Sequence, residues 1–246
     1  MPFVGTSWHD ELPRLSGSLV ELREVATSDA SVLFEMLSDQ AVQQHLSAPP
    51  PSVRAFEGFV RWAINQRVEG SGVTFGIVPR GLGAAVGIVQ VRALEPRWTI
   101  AEWGFALGAA FWGTGVFSEA AELVVRFVFE QLGADRLEAR AATINGRANG
   151  ALNKIGASAE VTLTRSFKRL NGQYDEQLLW SLRADDWRQG GLFPPTRFDA
   201  ATAKQRIAHA IERVRGQLRD QRAALDGEAP HSFYPFLLTH QSSRRE

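Results

Sequence analysis

The sequence predicts an α/β fold with one dominant sheet, followed by a helical extension. Strand-like and helix-like apolar patterns alternate up to about residue 185. A linker rich in glycine and proline follows Trp187, and a charged amphipathic segment comes after it. The predicted order is strand, two helices, three strands, helix, strand, helix and two strands. We therefore expect a domain over residues 1–187, and a linker with an amphipathic helix over 188–246.

The composition argues against several classes of protein and several kinds of functional site. Of the 246 residues, 44% are hydrophobic and 22% charged, as in ordinary globular proteins. The formal net charge of zero provides no basic field for a nucleic acid. The chain contains no cysteine, which excludes disulfides and thiol catalysis, and its histidines lack metal-ligand spacing, so we expect no metal site. Without a signal-like start or a membrane-length apolar run, we expect a cytoplasmic protein with no membrane partner.

The first half of the chain begins with a polar segment over residues 1–17, which we expect to be a loose arm. A strand follows over 19–25, and two helices come next, the second capped by Ser52. Apolar runs over 73–78 and 84–91, separated by a glycine-containing turn, predict a hairpin.

The second half continues with a strand over 98–107, a long helix that ends at Gly133, a short strand over 137–141 and a helix over 147–155. A last hairpin surrounds Asn171-Gly172. A helix over 200–225 carries one apolar stripe, so we expect it to pack on its own domain or across a homodimer; binding of another partner stays open.

The most informative segment covers residues 101–120, AEWGFALGAAFWGTGVFSEA. Here a strand leads through a glycine turn into a helix, and such a junction directs free N–H groups and the positive helix end at one point. That arrangement favours a diphosphate ligand, although a tight turn without a ligand is the alternative. No Lys-Ser/Thr pair follows the glycines, and Ser118 stands at the third small position, so neither common nucleotide-loop motif matches.

A second segment, TINGRANGALNKIGA over residues 143–157, completes a recognisable pattern. Together the segments resemble the GNAT superfamily of acetyl-CoA-dependent N-acetyltransferases, in particular the branch of ribosomal-protein-alanine acetyltransferases. The resemblance covers about residues 15–185 and excludes the tail. The matching residues are Val20-Glu21-Leu22-Arg23, Ala101-Glu102-Trp103-Gly104-Phe105, Trp112-Gly113-Thr114-Gly115, Glu119-Ala120, Asn145 and Lys154-Ile155-Gly156.

The resemblance implies an acetyltransferase-type single sheet, mixed but mostly antiparallel, with a splayed centre and flanking helices. It implies that a strand segment binds the pantetheine arm of acetyl-CoA, a loop binds the pyrophosphate through N–H groups and the Ser118 hydroxyl, and Asn145 bonds the pantetheine. The strand residues are Phe105, Ala106 and Leu107, and the loop residues are Gly113, Thr114, Gly115, Val116, Phe117 and Ser118. We expect the Phe117 side chain to point into the core.

Transfer of an acetyl group to an amine requires a proton acceptor, and Glu102 is our candidate base, with an ion-paired structural residue as the alternative. His45 and Trp103 are candidates to shape the acceptor site, with a surface role as the alternative for His45. We expect Glu119 to interact with the positive end of its helix. Two features depart from the family pattern: Ala148 replaces the usual serine, and no tyrosine lies near that helix.

These observations predict an acyltransferase that moves acetyl from acetyl-CoA to a primary amine, by direct attack in a ternary complex. The acceptor is a protein N-terminus or a small amine. The alternative from another class is a non-catalytic acyl-CoA-binding sensor or assembly module.

Overall fold

The computed structural model describes residues 7–46, 49–169, 171–194 and 200–221. The strands are β1 (Leu15–Ser16), β2 (Val20–Glu24), β3 (Gly72–Pro79), β4 (Gly87–Ala93), β5 (Ile100–Leu107), β6 (Arg136–Ala142), β7 (Ser158–Lys168) and β8 (Tyr174–Arg183). The helices are α1 (Ala30–Leu37), α2 (Gln40–Gln43), α3 (Val53–Val68), α4 (Val116–Glu130), α5 (Gly146–Lys154), α6 (Ala184–Arg188) and α7 (Ala200–Gln221). The short helices α2 and α6 were not expected from the sequence.

All eight strands form one sheet in the order β1-β2-β3-β4-β5-β6-β8-β7. Neighbours are antiparallel except β5 and β6, which are parallel and pair only from Ile100 to Glu102 against Arg136 to Glu138. Beyond those residues the two strands separate. This confirms the predicted mixed, mostly antiparallel sheet with a splayed centre.

Helices cover both faces of the sheet. A Cβ added to Gly72 of β3 would lie 3.7 Å from the Gln66 Cβ, which places α3 on that face. Phe75, also on β3 but an odd number of residues away, packs its ring edge-on against Phe127 of α4, with centroids 5.2 Å apart. Because side chains alternate along a strand, α3 and α4 lie on opposite faces.

Residues 7–16 are not the loose arm that we expected from the sequence. Leu12 is buried, β1 pairs with β2, and Trp8 packs edge-on against Trp98 with ring centroids 5.5 Å apart. Arg67 of α3 donates to the His9 carbonyl oxygen. Apolar anchors separated by polar residues have no helical or strand period, which is why the pattern did not predict this packing. Residues 1–6 lie outside the described residues.

Glu119 lies in the first turn of α4, and its side chain also binds the start of β2. Its carboxylate accepts hydrogen bonds from the backbone N–H groups of Ser18, Leu19 and Val20 at 2.8, 2.7 and 2.8 Å. Charge-assisted bonds of this kind are stronger than neutral ones. Glu119 therefore fastens the start of β2 to α4, a contact between residues a hundred positions apart.

The C-terminal helix α7 packs on its own chain. Its buried side chains join the main hydrophobic core. They are Ala203, Ile207, Ala210, Ile211 and Val214. The predicted stripe is thus present, except for Leu225, which lies outside the described residues. None of the helices in the described ranges combines the length and apolar character needed to cross a membrane.

Candidate active site

A cavity of about 620 Å³ lies where β5 and β6 separate. One wall is β5 from Trp103 to Leu107, and the opposite wall is β6 from Ala139 to Ala142. The glycine loop before α4 and the first turns of α5 close one end. Val42, His45 and Leu46, at and just after α2, line another part. The cavity exists because two adjacent parallel strands stop pairing after three residues.

The loop before α4 needs glycine at two positions. Gly113 and Gly115 have φ angles of 70° and 90°, in the left-handed region that other residues rarely adopt. Thr114 Oγ1 donates to the Phe111 carbonyl oxygen at 2.6 Å, and Trp112 Nε1 donates to the Leu107 carbonyl oxygen at 2.9 Å. The first bond closes the loop on itself, and the second ties it to the end of β5. The first turn of α4 therefore starts at the cavity with N–H groups that have no helical acceptor.

The predicted pyrophosphate-binding residues fall into two sets. Gly113, Gly115 and Ser118 line the cavity, whereas Thr114 and Val116 are buried and lie outside its lining. The Val116 N–H lies 3.5 Å from Thr114 Oγ1, at the outer limit of a hydrogen bond. Thr114 thus supports the loop from within the protein.

The predicted pantetheine-binding residues also line the cavity. Phe105, Ala106 and Leu107 form part of the β5 wall, and Asn145 lies at the start of α5. The Asn145 side-chain oxygen caps α5, since it accepts from the Ala148 N–H at 3.0 Å. Its predicted bond to pantetheine therefore needs the other amide group, and stays a prediction.

Phe117 packs against the hydrophobic core, as we expect, but it is only partly buried there. Its ring lines the cavity and packs against Phe105, with centroids 4.4 Å apart. Trp103 stacks on Phe117 at a centroid distance of 6.5 Å and is 1% exposed. Helical spacing alone could not show that the splayed β5 presents an aromatic surface to this part of α4. Within the described ranges the buried Trp103 indole N–H has no hydrogen-bond partner.

The charged side chains that line the cavity are all basic: Arg140, Arg147 and Lys154. No aspartate or glutamate belongs to its lining among the residues described. The Arg147 guanidinium lies over the Trp112 ring at 4.4 Å from its centroid, and this contact joins α5 to the glycine loop. A basic cavity fits a phosphate-bearing ligand. Sequence reasoning missed Arg140 and Arg147, although Arg147 stands in the matched segment, two residues after Asn145.

His45 lines the cavity, and its Nδ1 is buried without a partner in the described part of the chain. Burial lowers the pKa of His45 below its usual 6.5, and the positive charges of Arg147 and Arg169 lower it further. At neutral pH the imidazole is therefore uncharged. Its role in acceptor binding stays a prediction.

A model of the GNAT acetyltransferase domain matches residues 20–158. The chain belongs to the GNAT acetyltransferase family. As a member of that family it is an acyltransferase, and acetyltransferases of the family generally use acetyl-CoA. The matched region spans β2 through to the start of β7, and so includes both walls of the cavity.

Individual relatives agree with the GNAT assignment. The chain is 25% identical over 162 residues to the uncharacterized N-acetyltransferase p20 of Bacillus licheniformis, which covers 65% of this chain and 90% of that protein. A GCN5-related N-acetyltransferase from Brucella melitensis is similar in structure, with a TM-score of 0.65, 20% identity and coverage of 83% of this chain and 94% of that one. The ribosomal-protein-S5-alanine acetyltransferase from Vibrio fischeri is also similar in structure, with a TM-score of 0.64 and 15% identity. The match covers 71% of this chain and 98% of that one.

Within this GNAT fold, Glu102 does not line the cavity. It is 1% exposed, and its Oε2 accepts from Arg92 Nε at 2.9 Å and Nη2 at 2.5 Å. Its Oε1 lies 3.6 Å from Arg140 Nη1. This is the geometry of the ion-paired alternative, which we favour; it does not test a role as general base.

The acid that would protonate the departing thiolate is not visible in the lining. Tyr174 is half exposed at the start of β8, and the Arg165 guanidinium lies 4.9 Å from its ring centroid. It is not part of the described cavity wall. Tyr234 lies outside the described residues.

Proposed function

We propose that this protein transfers the acetyl group of acetyl-CoA to a primary amine by direct attack in a ternary complex. The observation that carries the proposal is the joined site: the cavity between the splayed β5 and β6 continues into the glycine loop at the start of α4. The extended, thioester-bearing arm of acetyl-CoA fits the cavity between the strands, and its diphosphate fits the glycine loop beside it.

The proposed placement of coenzyme A follows from the unpaired backbone. Beyond Glu102, the edge of β5 no longer bonds to β6, so the pantetheine amides add to it as an extra strand would. The N–H groups of the loop and first turn of α4 bind the pyrophosphate. Arg147 and Lys154 add positive charge on the α5 side.

The reaction is mainly a matter of positioning. Acetyl-CoA supplies an activated thioester carbonyl; the amine nitrogen forms a C–N bond to it and the C–S bond breaks. The proton that the nitrogen loses passes, through solvent or a base, to the leaving thiolate, so the products are the amide and free coenzyme A thiol. The cavity holds the two groups within about 3–3.5 Å, which accounts for much of the acceleration. A thiol with a pKa near 8.5 leaves without a strong acid, so the missing tyrosine is tolerated.

The substitution Glu102→Gln distinguishes a base from an ion-pair residue. We expect a higher acceptor KM and a loss of unfolding free energy on the order of 3 kcal/mol, because two arginines lose their shared carboxylate. We expect the pH profile of kcat to keep its shape. A lower kcat with an upward-shifted pH optimum and unchanged acetyl-CoA affinity would instead establish Glu102 as the base.

The proposed activity is tested in two steps. Calorimetry measures binding of acetyl-CoA, and release of free thiol is then followed with a panel of amines that includes peptides and small amines. We expect both binding and release. Binding without release on any amine would favour the sensor alternative, and no binding would contradict both. The likeness in fold to a ribosomal-protein acetyltransferase justifies including peptide N-termini. A cytoplasmic location and a homodimer stay predictions.

A further inference from the structure

Arg140 occupies the point where the sheet opens. The parallel pairing of β5 and β6 ends at Glu102 and Glu138, and Arg140 is two residues further along β6. Its side chain lines the cavity and is 14% exposed. Arg140 is therefore a largely buried cation beside the place where the thioester would lie under the proposed function.

The face of the sheet that carries Arg140 is opposite α4. Glu102 pairs with Arg92 across β4 and β5 and with Glu138 across β5 and β6, so these three side chains share one face. Arg140 shares it as well, since side chains two apart on a strand point the same way. Gly72, the β3 partner of Arg92, directs its missing Cβ toward α3 on the same face. The diphosphate loop belongs to α4, so Arg140 faces the other side, from which an acceptor would approach.

The positive charge of Arg140 is only partly compensated. One carboxylate, that of Glu102, serves two arginines: Arg92 at 2.5 Å and Arg140 at 3.6 Å. The Arg140 Nε is buried and has no hydrogen-bond partner in the part of the chain that the structure describes. A buried donor without a partner is costly, so an anionic oxygen at this point is favourable.

Apart from Glu102 behind it, Arg140 meets no acid in the cavity lining among the described residues. Gln177 pairs with Ala142 across β6 and β8 and lies on the same face, and Phe167 of β7 also lines the cavity. His45 contributes a ring that is neutral at pH 7. The acceptor side of the cavity thus combines one largely buried positive charge with polar amide and aromatic groups.

We infer that the acceptor is a primary amine that carries a carboxylate close to the amino group, and that the Arg140 guanidinium binds this carboxylate. The inference rests on the proposed function. A guanidinium presents its Nε and Nη donors in a plane that matches both oxygens of a carboxylate. Held in this way, the carboxylate fixes the amino group at the splay. Glu102 is then a positioning residue that orients Arg140.

The test compares matched acceptors. Thiol release from acetyl-CoA is measured with alanine against alaninamide, and with the amidated dipeptide Ala-Asp against amidated Ala-Asn. The first pair represents a free amino acid, and the second an acidic peptide N-terminus. We expect the carboxylate-bearing member of at least one pair to have a kcat/KM tenfold or more higher, and the pair concerned identifies the source.

Variants of Arg140 then assign the effect. Arg140→Gln should abolish the preference by raising the acceptor KM, and Arg140→Lys should restore part of it. Arg126→Gln, an exposed arginine on α4 outside the cavity, should keep the preference. Wild-type turnover without any preference for a carboxylate would overturn the inference, as would a preference that survives in Arg140→Gln.

A binding measurement separates the two proposals and does not depend on folding of the variants. Calorimetry on the wild-type protein saturated with coenzyme A compares N-acetylalanine with N-acetylalaninamide, and N-acetyl-Ala-Asp amide with its Asn counterpart. We expect tighter binding of the carboxylate in the pair that the turnover assay selects. Equal binding within both pairs would contradict the role of Arg140. Turnover of neutral amines alone would leave the acetyltransferase proposal standing and remove this inference.

Discussion

At the scale of single residues, the electrostatics of the cavity depends on three basic side chains, Arg140, Arg147 and Lys154. No acid among the described residues lines the cavity with them, and only Arg140 has a carboxylate, that of Glu102, close behind it. Their positive charges are therefore at most partly compensated, so they favour anionic ligands and disfavour protonation of neighbours. The pKa of His45 responds to nearby positive charge, since Arg147 and Arg169 both lower it.

The pKa of His45 gives a prediction at this scale. Arg147→Gln should raise the pKa of His45 toward, but not above, the usual 6.5, because burial, the larger cause, remains. Proton NMR of the His45 ring as a function of pH measures it, with His45→Gln to assign the signal. Arg126→Gln should leave the value unchanged. A pKa that stays the same in Arg147→Gln would show that this charge does not reach the imidazole.

The depressed pKa also fixes the sign of a stability effect. The folded protein favours neutral His45. Its free energy of unfolding is therefore unaffected by this group above pH 6.5 and falls as the pH drops below 6.5, because the unfolded chain then binds the proton more readily. Because His45 is neutral near pH 7, Arg140 supplies the positive charge on the acceptor side of the cavity.

At the scale of elements, three strands are joined through one carboxylate. Glu160 lies at an irregularity in β7, between Ala159 and Val161. It accepts from Arg136 of β6 at 2.7 and 2.6 Å and from Ser181 Oγ of β8 at 2.5 Å. These bonds lower the pKa of Glu160 to about 2. Because β7 is a mostly exposed edge strand, this cluster compensates for its small share of buried surface.

Glu160 predicts the acid sensitivity of the sheet edge. Its pKa is depressed from 4.5, so its contribution to stability is present above pH 4.5 and is lost as the pH falls to about 2. Glu160→Gln should remove about 1 kcal/mol of unfolding free energy at pH 7, after allowance for solvent screening of this partly exposed group.

Urea unfolding of the wild type and Glu160→Gln between pH 7 and 2 measures the effect, and the two curves should approach each other below pH 4.5 and converge near pH 2. Glu122→Gln, which removes an exposed i,i+4 partner on α4, is the control and should cost less. Parallel pH curves for the wild type and Glu160→Gln would contradict the prediction.

At the scale of the whole molecule, the C-terminal helix supports the ligand loop. Arg206 of α7 donates to the Gly113 carbonyl oxygen at 3.2 Å, and Arg213 donates to the Ala110 carbonyl oxygen at 3.3 Å. These bonds fasten the backbone at Gly113 of the glycine loop, and at Ala110 just before it, to α7. We therefore propose that α7 stabilises the coenzyme A site.

This arrangement predicts a remote effect on binding. Ile207→Ala removes a buried side chain from α7 and should cost about 2–4 kcal/mol of stability where the helix docks. Because α7 then releases the loop, calorimetry should show severalfold weaker binding of coenzyme A, with far-ultraviolet circular dichroism still showing a folded protein. Lys204→Ala, on the exposed side of α7, should bind as the wild type does. Equal affinities in all three proteins would separate α7 from the site.

The sequence alone determined the features that depend on neighbours along the chain. The glycine loop before α4 follows from residues with left-handed φ, the helices follow from their apolar period, and the Ser52 cap was confirmed at 3.1 Å from the Ala55 N–H. The residues that resemble the GNAT family also lie in short contiguous segments of this kind.

Only the tertiary structure decided which distant residues meet. Glu102 pairs with Arg92 and Arg140, Glu119 fastens β2, and Phe117 faces the cavity because β5 and β6 separate. Each outcome depends on strand register and on the early end of one parallel pairing. Those follow from the summed packing of both faces of the sheet, and no short window of sequence contains that sum.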